Sequence, residues 1–166
     1  MRKYMFVLPV ERMEMDQVFD SFPLHCTLVP WFYLHHTPTQ ILYGIMPVTG
    51  GMKPLTLTSE AEALFGPHKD ISVHVLEPNP ALIVLHTVVC DRLRTIGASF
   101  LGAEYMGANY RPHVTTRTDG RSFPPPSQLV VNEICLLEQI TAPETKQKQK
   151  KVVAKISFVE KMPSAS

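Results

Sequence analysis

The sequence is poor in cysteine, with only three among 166 residues. Cys26, Cys90 and Cys135 lie far apart, show no metal-binding spacing, and each falls within an apolar segment. An odd, unpatterned set of cysteines is typical of reduced thiols in a protein core and of a reducing compartment. The pattern predicts neither a disulfide framework nor a zinc site, and it favours a cytoplasmic location.

The chain also has almost no net charge. Sixteen Lys and Arg residues are offset by fifteen Asp and Glu residues, which leaves a formal charge of +1. A protein that grips a long duplex needs a strong positive field, so we expect no duplex-DNA partner. A nucleotide or an RNA end held by a few local contacts is compatible with this charge. The lysine-rich segment 146–151 is interpreted as a solvated hairpin tip.

Long hydrophobic runs are missing as well. Residues 4–8 form an apolar run, but Pro9 interrupts it and Glu11 and Arg12 follow closely. A membrane-spanning helix needs about 20 apolar residues, so no membrane segment is predicted. A hydrophobic content of 45% is enough for a compact core. We expect one domain over residues 1–166, as a monomer.

What the sequence does contain is a repeated His-x-Thr pattern, at residues 25–27 and 113–115, each within a β-favouring context. Residues two apart on a strand point to the same face, so each copy presents an imidazole beside a hydroxyl. Two facing copies would surround one point with two histidines and two threonines. A third match, at residues 35–37, is followed by Pro38 and is interpreted as a helix start.

The four side chains of the two motifs suit acid–base chemistry on a phosphate. His25 and His113 are the candidate catalytic pair, because an imidazole near neutrality can accept a proton and an imidazolium can donate one. Which of them is the acid stays open. Thr27 and Thr115 are expected to bind non-bridging phosphate oxygens. No histidine shows a ligand spacing with Cys, Asp or Glu, so we expect no metal and no cofactor.

Further candidates flank the second motif. Arg111 and Arg117 fall on the nominal face of its histidine, where a guanidinium would neutralise phosphate charge. Arg111 is the candidate substrate-binding residue, although the sequence leaves open which of the two contacts phosphate. Tyr110 is the candidate to stack on a base. Trp31 and Tyr33 are the other aromatic residues near the motifs, and core packing is favoured for both over stacking on a base.

Two helices can be placed from their capping signals. A capping box followed by Pro38 predicts a helix over residues 38–46 that ends before Pro47. Asn79-Pro80 precedes the longest apolar stripe, which predicts a helix over residues 81–96. The second motif is expected in a strand over residues 110–117, and two helical turns are expected at residues 15–19.

The segments 24–28 (Leu-His-Cys-Thr-Leu) and 111–115 (Arg-Pro-His-Val-Thr) resemble the two signature motifs of the 2H phosphoesterase superfamily. The similarity is greatest to its 2′-5′ RNA ligase and cyclic nucleotide phosphodiesterase branch, and it extends over nearly the whole chain. It implies an α+β, bilobal fold with pseudo-two-fold symmetry. Two small antiparallel sheets with outer helices would meet at a central cleft lined by the two His-x-Thr strands.

The resemblance also implies an activity. The expected function is metal-independent hydrolysis of a 2′,3′-cyclic phosphate on an RNA end or nucleotide, or of related 2′-5′ linkages. Two alternatives are a non-catalytic module that binds a nucleotide or RNA end, and a hydrolase of signalling cyclic oligonucleotides. The first alternative draws support from Val29, which occupies a position that is often polar in this superfamily.

Overall fold

The capping signals define both helices of the computed structural model, which describes residues 1–158. Helix α1 spans Pro38–Thr49, and the Gln40 backbone N–H donates to the Thr37 hydroxyl at 3.3 Å, as the capping box predicts. The helix continues past Pro47, so the predicted end was wrong. A proline in the last turn removes only one helical hydrogen bond. Helix α2 spans Pro80–Thr95, within one residue of the prediction.

Within residues 1–158, ten strands and two 3-10 turns make up the rest of the regular structure. The strands are β1 (Arg2–Pro9), β2 (Val18–Phe19), β3 (His25–Leu34), β4 (Leu55–Phe65), β5 (Ile71–Leu76), β6 (Ser99–Phe100), β7 (His113–Thr115), β8 (Gln128–Val131), β9 (Glu133–Thr141) and β10 (Lys148–Ser157). Their order in the sheet is β2-β10-β9-β1-β3-β7-β5-β4-β8, with β6 paired to β3. The pairs are antiparallel, and two 3-10 turns, Ala103–Tyr105 and Gly107–Asn109, precede β7.

The α+β class is as predicted, but the strands form one curled sheet path and not two separate sheets. The link is a single residue pair, Cys26 with Val114, which joins β3 to β7. The sequence gives no sign of this link because the two residues are far apart along the chain. The bilobal and pseudo-two-fold description stays a prediction.

The core lies on both faces of the sheet. Helices α1 and α2 cover one face, where Ile41 and Leu85 join Tyr4 and Phe32 in the larger cluster of buried side chains. A smaller cluster on the opposite face contains Met5, Val7, Met13, Phe19, Cys135, Leu137 and Val152. All three cysteines are buried and free, and burial raises the pKa of each thiol to about 12. The interpretation as core residues is therefore confirmed, and their reduced state stays a prediction.

Two predicted elements differ from the structure. Residues 15–19 contain no helical turn, because Asp16 takes a φ of 63° and Val18–Phe19 pairs with β10 as β2. The second motif strand is only His113–Thr115, much shorter than residues 110–117. Pro112, which has no backbone N–H to donate to a neighbouring strand, precedes it.

The lysine-rich segment is not a hairpin tip. Strand β10 begins at Lys148, so most of the lysines lie within a strand that pairs with β9. Only the short turn before Lys148 projects beyond the sheet. Within residues 1–158, neither helix is long and apolar enough to cross a membrane.

Candidate functional site

The two His-x-Thr motifs lie on neighbouring antiparallel strands, β3 and β7. Cys26 and Val114, their central residues, are paired, and both are 0% exposed in the larger core cluster. Since successive side chains of a strand alternate between its faces, the outer residues of both motifs project from the opposite face. The core therefore fixes the orientation of both motifs.

The register brings all four candidate side chains together. On antiparallel strands with Cys26 opposite Val114, His25 lies across from Thr115 and Thr27 across from His113. Such cross-strand neighbours have Cβ atoms about 4.5–5.5 Å apart. The four residues are each partly buried, as expected for the floor of a cleft.

Both imidazoles are held by the same local hydrogen bond. His25 Nδ1–H donates to the Pro23 carbonyl at 2.8 Å, and His113 Nδ1–H donates to the Arg111 carbonyl, also at 2.8 Å. A carbonyl only accepts, so each Nδ1 carries the proton and each Nε2 keeps its lone pair. Among residues 1–158 neither Nε2 has a hydrogen-bond partner, so the two oriented rings are suited to proton transfer.

The surroundings of both histidines disfavour the imidazolium form. Burial lowers the pKa of His25, the hydrogen bond to the Pro23 carbonyl opposes this, and the charges of Arg117 and His113 lower the pKa further, with a net value of about 4. Burial also lowers the pKa of His113, with a smaller contribution from Arg111 and an opposing hydrogen bond to the Arg111 carbonyl. Both rings are therefore neutral at pH 7 in the free site. A bound phosphate anion would favour their protonation.

Each imidazole packs against a phenylalanine at nearly the same distance. The ring centroid of His25 lies 4.6 Å from that of Phe22, and the centroid of His113 lies 4.7 Å from that of Phe65. These contacts restrict the rings from the side and exclude water from part of the site. Phe22 and Phe65 belong to no sequence motif, so neither was predicted from the sequence.

An arginine covers each of these phenylalanines, but the two arginines differ in burial. The Cζ atom of Arg117 lies 5.9 Å from the centroid of the Phe22 ring. Arg117 is partly buried, and its Nε atom has no hydrogen-bond partner among residues 1–158. The Cζ atom of Arg111 lies 5.0 Å from the centroid of the Phe65 ring, and Arg111 is exposed. An unsatisfied buried guanidinium N–H costs free energy unless an anion binds it. The structure therefore favours Arg117 over Arg111 as the phosphate contact.

Tyr110 lies beneath the first motif. Its hydroxyl donates to the Thr27 carbonyl at 2.7 Å, and its ring stacks on His86 with centroids 3.8 Å apart. His86 Nδ1–H donates to the Leu28 carbonyl at 2.7 Å, and its Nε2 accepts the Gly107 N–H at 3.0 Å. One face of Tyr110 is thus covered, so its contacts favour a role in positioning strand β3 over the predicted base stacking. The role of His86 had no sequence signal.

A polar network ties the flank of the first motif to the loop that carries Arg117. The Glu11 carboxylate accepts the Leu24 N–H at 2.7 Å and binds the Arg121 guanidinium. The Arg121 carbonyl accepts the Arg117 N–H at 2.8 Å. Burial alone would raise the pKa of Glu11, but the hydrogen bonds from Leu24 and Arg121 outweigh it and the pKa is lowered. Glu11 is therefore held as a carboxylate at neutral pH.

A cavity of about 670 Å³ adjoins the motifs, within the range of small-molecule sites. Thr27 and His113 line it together with Trp31, Phe65, Tyr105, Tyr110 and Arg111. Its walls are mainly aromatic and apolar, which suits a nucleobase and ribose. Among residues 1–158, no three His, Cys, Asp or Glu side chains are grouped so as to hold a metal ion.

No protein-family model matches the chain, and no curated protein matches its sequence. Its fold is nevertheless that of solved phosphoesterases. A structure described as a phosphoesterase aligns with a TM-score of 0.63 at 15% identity, over 96% of this chain and 99% of the other. This alignment shows that the two chains share a fold.

Two further solved structures have the same fold. Escherichia coli LigT, complexed with NADP+, aligns with a TM-score of 0.61 at 16% identity, over 96% of this chain and 98% of LigT. A protein of Thermus thermophilus aligns with a TM-score of 0.55 at 15% identity, over 95% of this chain and 98% of the other. The fold therefore agrees with the resemblance of the sequence to the 2H phosphoesterase superfamily.

Proposed function

We propose that the protein hydrolyses 2′,3′-cyclic phosphates on an RNA end or nucleotide, or related 2′-5′ linkages, without a metal ion. The observation that carries this proposal is the pair of His-x-Thr motifs on neighbouring strands, each with Nδ1–H anchored and Nε2 free. The proposed cleft between two pseudo-symmetric halves also rests on this pair. The structures of LigT with 3′-AMP and with ATP support a nucleotide substrate for this fold.

The mechanism needs one neutral imidazole and one imidazolium. His25 is the proposed base, because burial, Arg117 and His113 hold its pKa at about 4 and keep it neutral. It would take a proton from the attacking water, while His113, protonated when the anionic substrate binds, would give a proton to the leaving ribose oxygen. Arg117 and the hydroxyls of Thr27 and Thr115 would bind the non-bridging oxygens, where charge develops.

The alternative of a binding module without turnover loses the support that Val29 gave it. Val29 is 0% exposed and pairs with Phe6 in the larger core cluster, so an apolar residue there removes no contact from the cleft. The signalling-oligonucleotide alternative concerns substrate choice and remains within the proposed chemistry. The cytoplasmic location and the monomeric state stay predictions.

The test is turnover of 2′,3′-cyclic AMP in the presence of a chelator. We expect His25→Ala and His113→Ala each to lower kcat by roughly 10²–10⁴-fold, the usual contribution of a general acid or base. The melting temperature should stay close to that of the parent protein. His35→Ala is the matched control, because His35 belongs to the third His-x-Thr match and is exposed. Full activity of either motif variant, or loss of activity with chelator, would contradict the proposal.

A further inference from the structure

A polar row crosses the sheet at some distance from the two histidines. Tyr33 on β3 pairs with Lys3 on β1, and Gln139 on β9 pairs with Lys150 on β10. Lys3 Nζ donates to Gln139 Oε1 at 3.2 Å, which joins the two pairs. We call Tyr33, Lys3, Gln139 and Lys150 the cationic row. Its two ammonium-bearing strands are two inter-strand spacings apart, roughly 10 Å.

The cationic row lies on the same face of the sheet as the histidines. Side chains of β1 alternate, so Lys3 shares a face with Met5 and Val7, both in the smaller core cluster. Val7 pairs with Thr27 of the first motif. Lys150 shares this face through Val152, another member of the same cluster.

Aromatic rings connect the row to the site. Lys3 Nζ lies 5.2 Å from the centre of the Trp31 ring, and Lys150 Nζ lies 5.0 Å from that of Phe22. The Phe22 ring is 6.5 Å from Trp31 and 4.6 Å from His25. Trp31 also lines the cavity beside the motifs. Cations and aromatic rings therefore alternate from the imidazole outwards.

Among the described residues, neither lysine of the cationic row has an acidic partner, whereas the cations next to them in sequence are paired. The sequence neighbours of Lys3 and Lys150 point to the other face, where Arg2 binds Glu138 at 2.8 Å and Lys151 lies 3.8 Å from Asp16. The net charge of +1 does not reveal that unpaired cations lie together on this face.

We propose that the cationic row, with Trp31 and Phe22, binds the single-stranded RNA that precedes a terminal cyclic phosphate. Lys3 and Lys150 would contact backbone phosphates, the ring of Trp31 would stack on an unpaired base, and Phe22 would hold Lys150 beside the site. Alternating basic and aromatic side chains are how proteins bind single strands without sequence preference. The inference rests on the proposed function for the position of the RNA end, and it makes an RNA end the preferred substrate over a mononucleotide.

The test compares kcat/KM for a hexaribonucleotide ending in a 2′,3′-cyclic phosphate with kcat/KM for 2′,3′-cyclic AMP. For the parent protein we expect the ratio to exceed one and to fall as salt is added. Lys3→Gln with Lys150→Gln should lower the ratio and reduce its log–log salt slope by about 1.4, at ~0.7 for each phosphate that is no longer neutralised. The matched control, Arg2→Gln with Lys151→Gln, removes two charges from the opposite face and should keep the ratio.

The proposal would be overturned if the parent protein had the same kcat/KM for both substrates. It would also be overturned if the ratio of the two kcat/KM values fell equally in both double variants. If neither substrate is hydrolysed, the proposed function fails, and binding still tests the row. Trp31 is the single tryptophan of the chain, so its fluorescence reports on this surface. A hexaribonucleotide with a 3′-phosphate should quench it, more weakly in the Lys3 and Lys150 double variant. No quenching, or equal quenching by duplex RNA, would overturn the proposal.

Discussion

Replacement of Arg117 by glutamine tests which of the two candidate arginines contacts the phosphate. The substitution removes the charge and keeps a polar side chain. The Nε atom of Arg117 is buried without a partner among residues 1–158, so a phosphate oxygen is the group that would satisfy it. A hydrogen bond between charged groups contributes about 1.5–3 kcal/mol. Each 1.4 kcal/mol is tenfold, so kcat/KM should fall roughly 10- to 150-fold.

The same substitution should raise the pKa of His25. The positive charge of Arg117 is one cause of the low value of about 4, after burial. Titration of the His25 ring by NMR would detect the shift. Thermal unfolding should show little loss of stability, because among residues 1–158 the substitution breaks no side-chain hydrogen bond and removes only the contact with the Phe22 ring. Arg94→Gln is the control, since Arg94 is exposed on α2 and paired with Asp91 at 2.9 Å.

Two results would refute this reasoning. Unchanged kcat/KM in Arg117→Gln, with an unshifted pKa of His25, would mean that Arg117 is a solvated charge of the loop that follows β7. A larger loss in Arg111→Gln than in Arg117→Gln would transfer the phosphate contact to Arg111, the other arginine that the sequence left open.

The pH dependence and one positioning residue give two more predictions. The pKa values of His25 and His113 are both lowered in the free site. The pH profile of kcat/KM should therefore be bell-shaped, with its optimum below ~6.5. A profile that rises to a plateau above neutrality would contradict this prediction. Tyr110→Phe removes the 2.7 Å hydrogen bond to the Thr27 carbonyl, so the free energy of unfolding in urea should fall by roughly 1–3 kcal/mol; an unchanged value would show that this bond is replaced by water.

The local parts of this structure could be predicted from the sequence. The alternation around His25 and His113 depends only on residues two apart, and the cap at Thr37 depends only on Gln40 three residues later. Such signals lie within a few residues of one another. They placed both motifs and both helices without knowledge of the sheet.

The parts that depend on distant residues could not be predicted. The pairing of Cys26 with Val114, the stacking of His86 on Tyr110 and the burial of Arg117 arise from contacts between segments far apart in sequence. The face occupied by Lys150 depends on where β10 begins, and the lysine-rich composition favoured a loop there. In each case the deciding neighbour lies on another strand or helix.

The central claim is that His25 and His113 act as one acid–base pair on a single phosphate. The most direct measurement is kcat/KM for 2′,3′-cyclic AMP in His25→Ala, His113→Ala and the double variant. Residues that act as a unit are far from additive, so the double variant should be scarcely slower than the slower single variant. A fall of kcat/KM in the double variant equal to the product of the two single falls would contradict the account. Full activity in either single variant would also contradict it.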